Sequence, residues 1–224
     1  MPIESRKPIL GPETARIITD NDARKASIDM WASRINASGE LPLFATIFGR
    51  TNTDPLSILS YNEWGYSAGN YGHYFDCANS LVLAGSDQAS ACIGFDIVPF
   101  QSTPFSFAPP GYKKQRGIVP GDVIISQIQS TYEPHNRQLL QGWRWEQALV
   151  TLVVDWVDSV DLGNIYVWSG ELIGEDYPLT REEMKKFEAR YNGTARALGF
   201  KKNGGGIYML DRLQLQPHSG AKKV

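Results

Sequence analysis

The sequence predicts an α/β (α+β) fold: a mixed central β-sheet flanked by about three helices, with two long aromatic-rich insertions. Three observations predict it. Short β-branched runs alternate with longer segments of helical period. Trp145, Ala148, Leu149, Leu152, Val153 and Trp156 form one apolar stripe along what reads as an amphipathic helix. Thr180 and Glu183 stand three apart ahead of a second stripe, the spacing of a capping box.

Each element can be justified in chain order. Residues 1–13 hold three prolines and read as an extended arm. Ala15–Thr19 is β-branched and reads as a strand. Asp20 and Asp22 offer caps for a helix carrying Ala23, Ala26, Ile28, Met30, Trp31 and Ile35, which Gly39 ends. Leu43–Phe48 reads as a second strand. Residues 49–72 lack a period and form the first insertion. Ser80–Ala84 and Ala91–Val98 read as a strand hairpin. Residues 99–117, with Pro104, Pro109 and Pro110, form the second insertion, because proline removes a ladder donor. Asp122–Gln129 reads as a strand and Thr131–Gln141 as a polar loop. The Trp145 helix follows, then a strand at Asn164–Trp168. Met184, Phe187, Tyr191, Ala195 and Leu198 line the last helix, which Gly199 terminates. Gly204–Gly206 reads as a turn into a closing strand at Ile207–Leu210. Residues 14–213 thus form a single domain, and residues 214–224 a polar tail.

Composition narrows the function classes. The chain has 224 residues, 42% hydrophobic and 21% charged, which argues against wholesale disorder. Its net charge of −2 carries no basic excess, so no nucleic-acid partner is expected. No apolar run reaches the length of a membrane span, and the first residues lack an apolar signal core, so no membrane partner and a cytoplasmic location are expected. Cys77 and Cys92 read as buried thiols, and His73, His135 and His218 are scattered, so no metal site is expected.

Three stretches resemble the GNAT acyltransferase superfamily. "ARIITDNDARKASIDMW" (15–31) is similar to that family's opening strand and helix. "QGWRWEQALVTLVVDW" (141–156) stands where the family has its acyl-CoA loop and following helix. "ARYNGTARALGF" (189–200) resembles its last helix and Gly-Phe ending. The resemblance implies acetyl-CoA as cofactor and an amine as acceptor. A helix N-terminus presents unpaired N–H groups and a positive dipole end to a pyrophosphate, and small residues let the backbone approach it. The resemblance places Gln141, Gly142, Trp143 and Arg144 in that loop, with Arg137 and Arg144 as side-chain phosphate contacts. Arg144 and Glu146 stand where the family has small residues, flanked by Trp143 and Trp145. The backbone from Ile124 to Ile128 would hold the carbonyl oxygen. Tyr191, one turn before the position of the family's proton-donating tyrosine, would serve in its place; Tyr191 also fits the apolar stripe. Glu133 and Asp96 stand by position as candidates for a general base.

A second reading needs no catalysis. The segments 61–75 and 100–112 are rich in Phe, Tyr and Trp, groups that dominate interface energies. They would contact protein partners in a larger assembly, for example a bacteriophage particle, and the chain would then reside in the virion.

Overall fold

The described residues open in helices. The computed structural model describes residues 11–49, 56–61, 77–85, 88–98, 117–130, 134–174 and 179–210. Three helices lead: α1 (Pro12–Thr19), α2 (Asn21–Ser38) and α3 (Glu40–Ile47). Of the arm expected over 1–13, residues 1–10 lie outside the described residues, and Pro12 and Glu13 belong to α1. The tail at 214–224 also lies outside them.

The strand expected at Ala15–Thr19 is thus helical. Pro12 occupies the first turn, where its missing N–H and fixed φ suit a helix start. Thr14 and Ile17, three apart, are buried together, and Thr14 Oγ1 donates to the Val160 carbonyl at 2.9 Å. Burial at helical spacing overrides the weak β preference of Ile17, Ile18 and Thr19. Asp20 is extended between α1 and α2, and its carboxylate accepts from the amides of Asp22 and Ala23. Gly39, at φ 71°, ends α2 as the sequence predicts. The strand expected at Leu43–Phe48 is also helical. Leu41 and Ala45 are buried four apart, and the Phe44 and Phe48 rings stack with centroids 6.1 Å apart. A short apolar run satisfies both periods, and here the helical one wins.

Among the described residues seven strands follow: β1 (Leu56–Tyr61), β2 (Asn79–Gly85), β3 (Gln88–Ile97), β4 (Val123–Ser130), β5 (Ile165–Trp168), β6 (Lys201–Lys202) and β7 (Ile207–Leu210). They form one mixed sheet in the order β1-β2-β3-β4-β5-β7-β6. β1 to β4 pair antiparallel in sequence, β4 and β5 run parallel, and β7 pairs antiparallel with both β5 and β6. β1 falls inside the stretch expected to be the first insertion. Apart from Gly49 and Gly117, the rest of both aromatic insertions, residues 50–55, 62–72 and 99–116, lies outside the described residues.

The remaining helices are α4 (Pro134–Leu140), α5 (Trp145–Ser159), α6 (Gly170–Gly174) and α7 (Arg181–Ala197). Seven helices among the described residues replace the three expected. Part of the expected polar loop at Thr131–Gln141 is α4, whose buried Leu139 and Leu140 are too few to reveal a period in the sequence. The capping box at Thr180 and Glu183 is present in both directions. Gly199 takes φ 83°, and Gly206, at φ 80°, turns β6 into β7.

The core lies between α5 and one sheet face. Leu81, Leu83, Ile93, Phe95, Val123 and Ile125 share that face, and Phe95 meets Trp156 of α5 at 5.5 Å between ring centroids. Trp156 Nε1 donates to Ser27 Oγ at 3.2 Å, which ties α2 to the same layer. The other face of β2 to β4 carries Ser80, Val82, Cys92, Gly94, Asp96 and Gln127, all buried. No described helix is long and apolar enough to cross a membrane.

Candidate functional site

Of the residues singled out in the sequence, Ile128 and Tyr191 meet at the far half of β4, and Gln141, Gly142, Trp143 and Arg144 stand at the leading end of α5. β4 pairs with β5 only at Val123, Ile124 and Ile125. It then continues to Ser130 without β5 beside it. At this point its ladder with β3 slips: Phe95 faces Ile125 while Gly94 faces Gln127, so Ser126 is an extra residue. The bulge lets the Ser126 hydroxyl reach Cys77 Sγ at 3.0 Å. Gly94 is needed opposite it, because a Cβ there would stand 2.7 Å from Cys77 Sγ.

Beyond the bulge, Tyr191 of α7 meets Ile128 of β4. The Ile128 N–H donates to the Tyr191 hydroxyl at 2.8 Å. Tyr191 is buried, its ring stacks on Phe187 at 5.9 Å, and burial pushes its phenol well above the ordinary range. The structure therefore brings Tyr191 and Ile128 together directly. The amide expected to face a carbonyl oxygen is engaged by the side chain expected to donate a proton.

The segment between α4 and α5 holds Gln141, Gly142, Trp143 and Arg144. Gly142 takes φ 75° and is exposed, as are Gln141 and Arg144. The Arg144 N–H donates to the Phe48 carbonyl at 3.3 Å, so the leading end of α5 is stitched to the end of α3. No side chain caps α5. Trp143 and Trp145 are buried on either side of Arg144 and belong to the core. Glu146 lies in the first turn. Burial pushes its carboxyl up, while a hydrogen bond from its own backbone amide and the nearby Arg190 guanidinium hold it down. Arg190 also lies over the Trp145 ring, 5.8 Å from its centroid. Arg137 is exposed on α4.

The two candidate bases part company. Glu133 lies outside the described residues. Asp96 is buried on β3, its carboxylate accepts from the Ala78 N–H at 2.9 Å, and burial raises its pKa to about 6 against the lowering pull of Ala78 and Arg24.

One polar hub went unread in the sequence. Asp122, fully buried, accepts from the Val119 and Asn164 amides, each at 2.8 Å, and so fixes the parallel start of β4 and β5. The only signal for it was its place after Pro120 and Gly121. Among the described residues no group of three His, Cys, Asp or Glu side chains is placed to hold a metal ion.

Compared with known proteins, the chain matches no family model, no curated protein and no solved structure.

Proposed function

We propose that this chain is a non-catalytic protein on a GNAT-like scaffold, which works through protein contacts in a larger assembly. The observation that carries the reading is the hydrogen bond from Ile128 N–H to Tyr191. In the family that the sequence resembles, a strand amide of this kind holds the reacting carbonyl, and the helix N-terminus that follows holds a diphosphate. Here the first is occupied by a buried phenol. At the second, the Glu146 carboxylate takes its own amide, and a carboxylate beside a phosphate is repulsive. The Arg144 N–H, one of the donors at that helix end, is taken by the Phe48 carbonyl. The residues present do not fit an acyl-CoA. Under this reading the aromatic segments 61–75 and 100–112 carry the partner contacts, and the chain works in the cytoplasm or within a virus particle.

A second reading is an acyl-CoA-dependent N-acyltransferase acting on an amine. What favours it is the run of β4 past Ile125 with a bulge at Ser126, the divergence such an enzyme expects in its sheet.

Thermal unfolding with acetyl-CoA and with free CoA separates the two, because a ligand of the folded state raises the melting temperature by linkage. The non-catalytic reading expects no rise at millimolar ligand. A saturable rise at micromolar ligand would sink it. Light scattering tests the assembly half: a chain that stays monomeric and captures no protein partner contradicts it.

A further inference from the structure

Asn-Gly occurs twice in the sequence, at Asn192-Gly193 and at Asn203-Gly204. Such a pair is open to attack by its own backbone, because glycine puts no side chain in the way of its nitrogen. The fold treats the two differently. Asn192 is buried in α7, its Oδ1 accepts from the Gly170 N–H at 2.9 Å, and its Nδ2 donates to the Glu171 carboxylate at 3.0 Å. The Gly193 nitrogen belongs to the helical ladder of α7. Both ends of that reaction are therefore held by other partners.

Asn203 stands half-buried in the turn from β6 to β7, and Gly204 and Gly205 beyond it are exposed. Its Oδ1 accepts from the Gly205 N–H at 3.0 Å and from the Ile207 N–H at 3.2 Å. Two amides aimed at one carbonyl oxygen stabilise the charge that gathers there when its carbon is attacked. The Gly204 N–H makes no hydrogen bond among the described residues, so the attacking nitrogen is free.

We propose that Asn203 is a site of spontaneous deamidation, which the turn promotes and which Asn192 escapes. Hydroxide takes the proton of the Gly204 N–H, and the nitrogen bonds to Asn203 Cγ while charge gathers on Oδ1. The Cγ–Nδ2 bond then breaks, and Nδ2 leaves as ammonia with a proton from water, which returns the hydroxide. Water opens the resulting succinimide at either carbonyl, to aspartate or to an isoaspartyl link; nothing is oxidised or reduced. The isoaspartyl link adds a methylene to the backbone and removes the side chain that holds Gly205 and Ile207. β6 has only two residues and is the last strand of the described sheet on that side. The link therefore releases it, together with the Lys202 contact to Glu171. The inference is independent of the proposed function.

The test ages the full chain in mildly alkaline buffer, folded and in guanidinium chloride, and follows the two Asn-Gly peptides by mass spectrometry. In the folded chain Asn203 is expected to convert at least as fast as in denaturant, and Asn192 more slowly than in denaturant. A folded Asn203 that converts more slowly than in denaturant would overturn the proposal, because the turn would then protect it. So would a folded Asn192 that converts as fast as Asn203. Gly204→Ala has open space for its Cβ, so the variant is expected to fold as the parent does and to convert several-fold more slowly at Asn203. An unchanged rate would contradict attack by the Gly204 nitrogen. Hydrogen exchange at the Ile207 amide reads the release of β6. It is expected to quicken in the isoaspartyl chain and to stay at the parental rate in Asn203→Asp, which keeps the acceptor. Exchange that is equally slow in the isoaspartyl chain would overturn the release.

Discussion

The Ile128 amide and the Tyr191 hydroxyl, 63 positions apart in sequence, meet at 2.8 Å where β4 has left β5 behind. A strand that loses its neighbour leaves backbone donors to be satisfied by something else. At Ile128 the last long helix supplies the partner, and it does so with a side chain sealed from solvent.

Tyr191→Phe should therefore lower stability without changing the fold. It removes the acceptor and leaves a buried N–H unpaired, a loss of about 1–3 kcal/mol. Urea unfolding followed by circular dichroism measures it. A variant as stable as the parent would mean that water or another group already serves Ile128.

Asp96 gives the chain a pH dependence whose sign follows from its raised pKa. The folded state holds the proton up to about pH 6, whereas the unfolded chain releases it near 3.8. Between those values the folded state binds more protons, so this residue's contribution falls as pH rises from about 4 to 6 and is fully present below that window. Asp96→Asn stays neutral and keeps an acceptor for Ala78. Its stability relative to the parent should grow across the window by up to about 3 kcal/mol. Denaturant midpoints at pH 4 and pH 7 check this, and a constant difference between the two chains would contradict it.

Two glycines predict opposite outcomes. A Cβ on Gly170 would stand 2.6 Å from the Glu188 backbone nitrogen and 2.7 Å from its Cα, so α6 and α7 can approach only without a side chain there. Gly170→Ala must push a helix backbone aside and should cost about 1–3 kcal/mol or more. Gly193, within α7, has nothing within 4 Å of its would-be Cβ. Gly193→Ala should stabilise by about 0.5–1 kcal/mol, because alanine restricts the unfolded chain and favours helix. Melting temperatures of the two variants, moving in opposite directions, are the check.

What could be read from the sequence follows from the range of the interactions. α5 and α7 were legible because their stripes are long and α7 carries its own cap. β2 and β3 were legible as runs of apolar and β-branched residues joined by a turn. Ile17-Ile18 and Leu43–Phe48 misled because a run of five or six residues fits either period, and packing against neighbouring helices decides between them. At the candidate site, Tyr191 and the loop from Gln141 to Arg144 were singled out by the family resemblance. The pairing of Tyr191 with Ile128 was not, because no local pattern encodes a contact between a helix and a distant strand. Ser126 as a bulge and Asp122 as a hub were missed for the same reason.

The central claim is best tested at the Ile128 amide itself, by following its proton–nitrogen resonance while acetyl-CoA is titrated into the full chain. With Tyr191 holding that N–H, the resonance is predicted to stay in place and remain slow to exchange at millimolar ligand. A saturable shift of this amide at micromolar acetyl-CoA would show that the phenol gives way to a ligand, and would contradict the non-catalytic account.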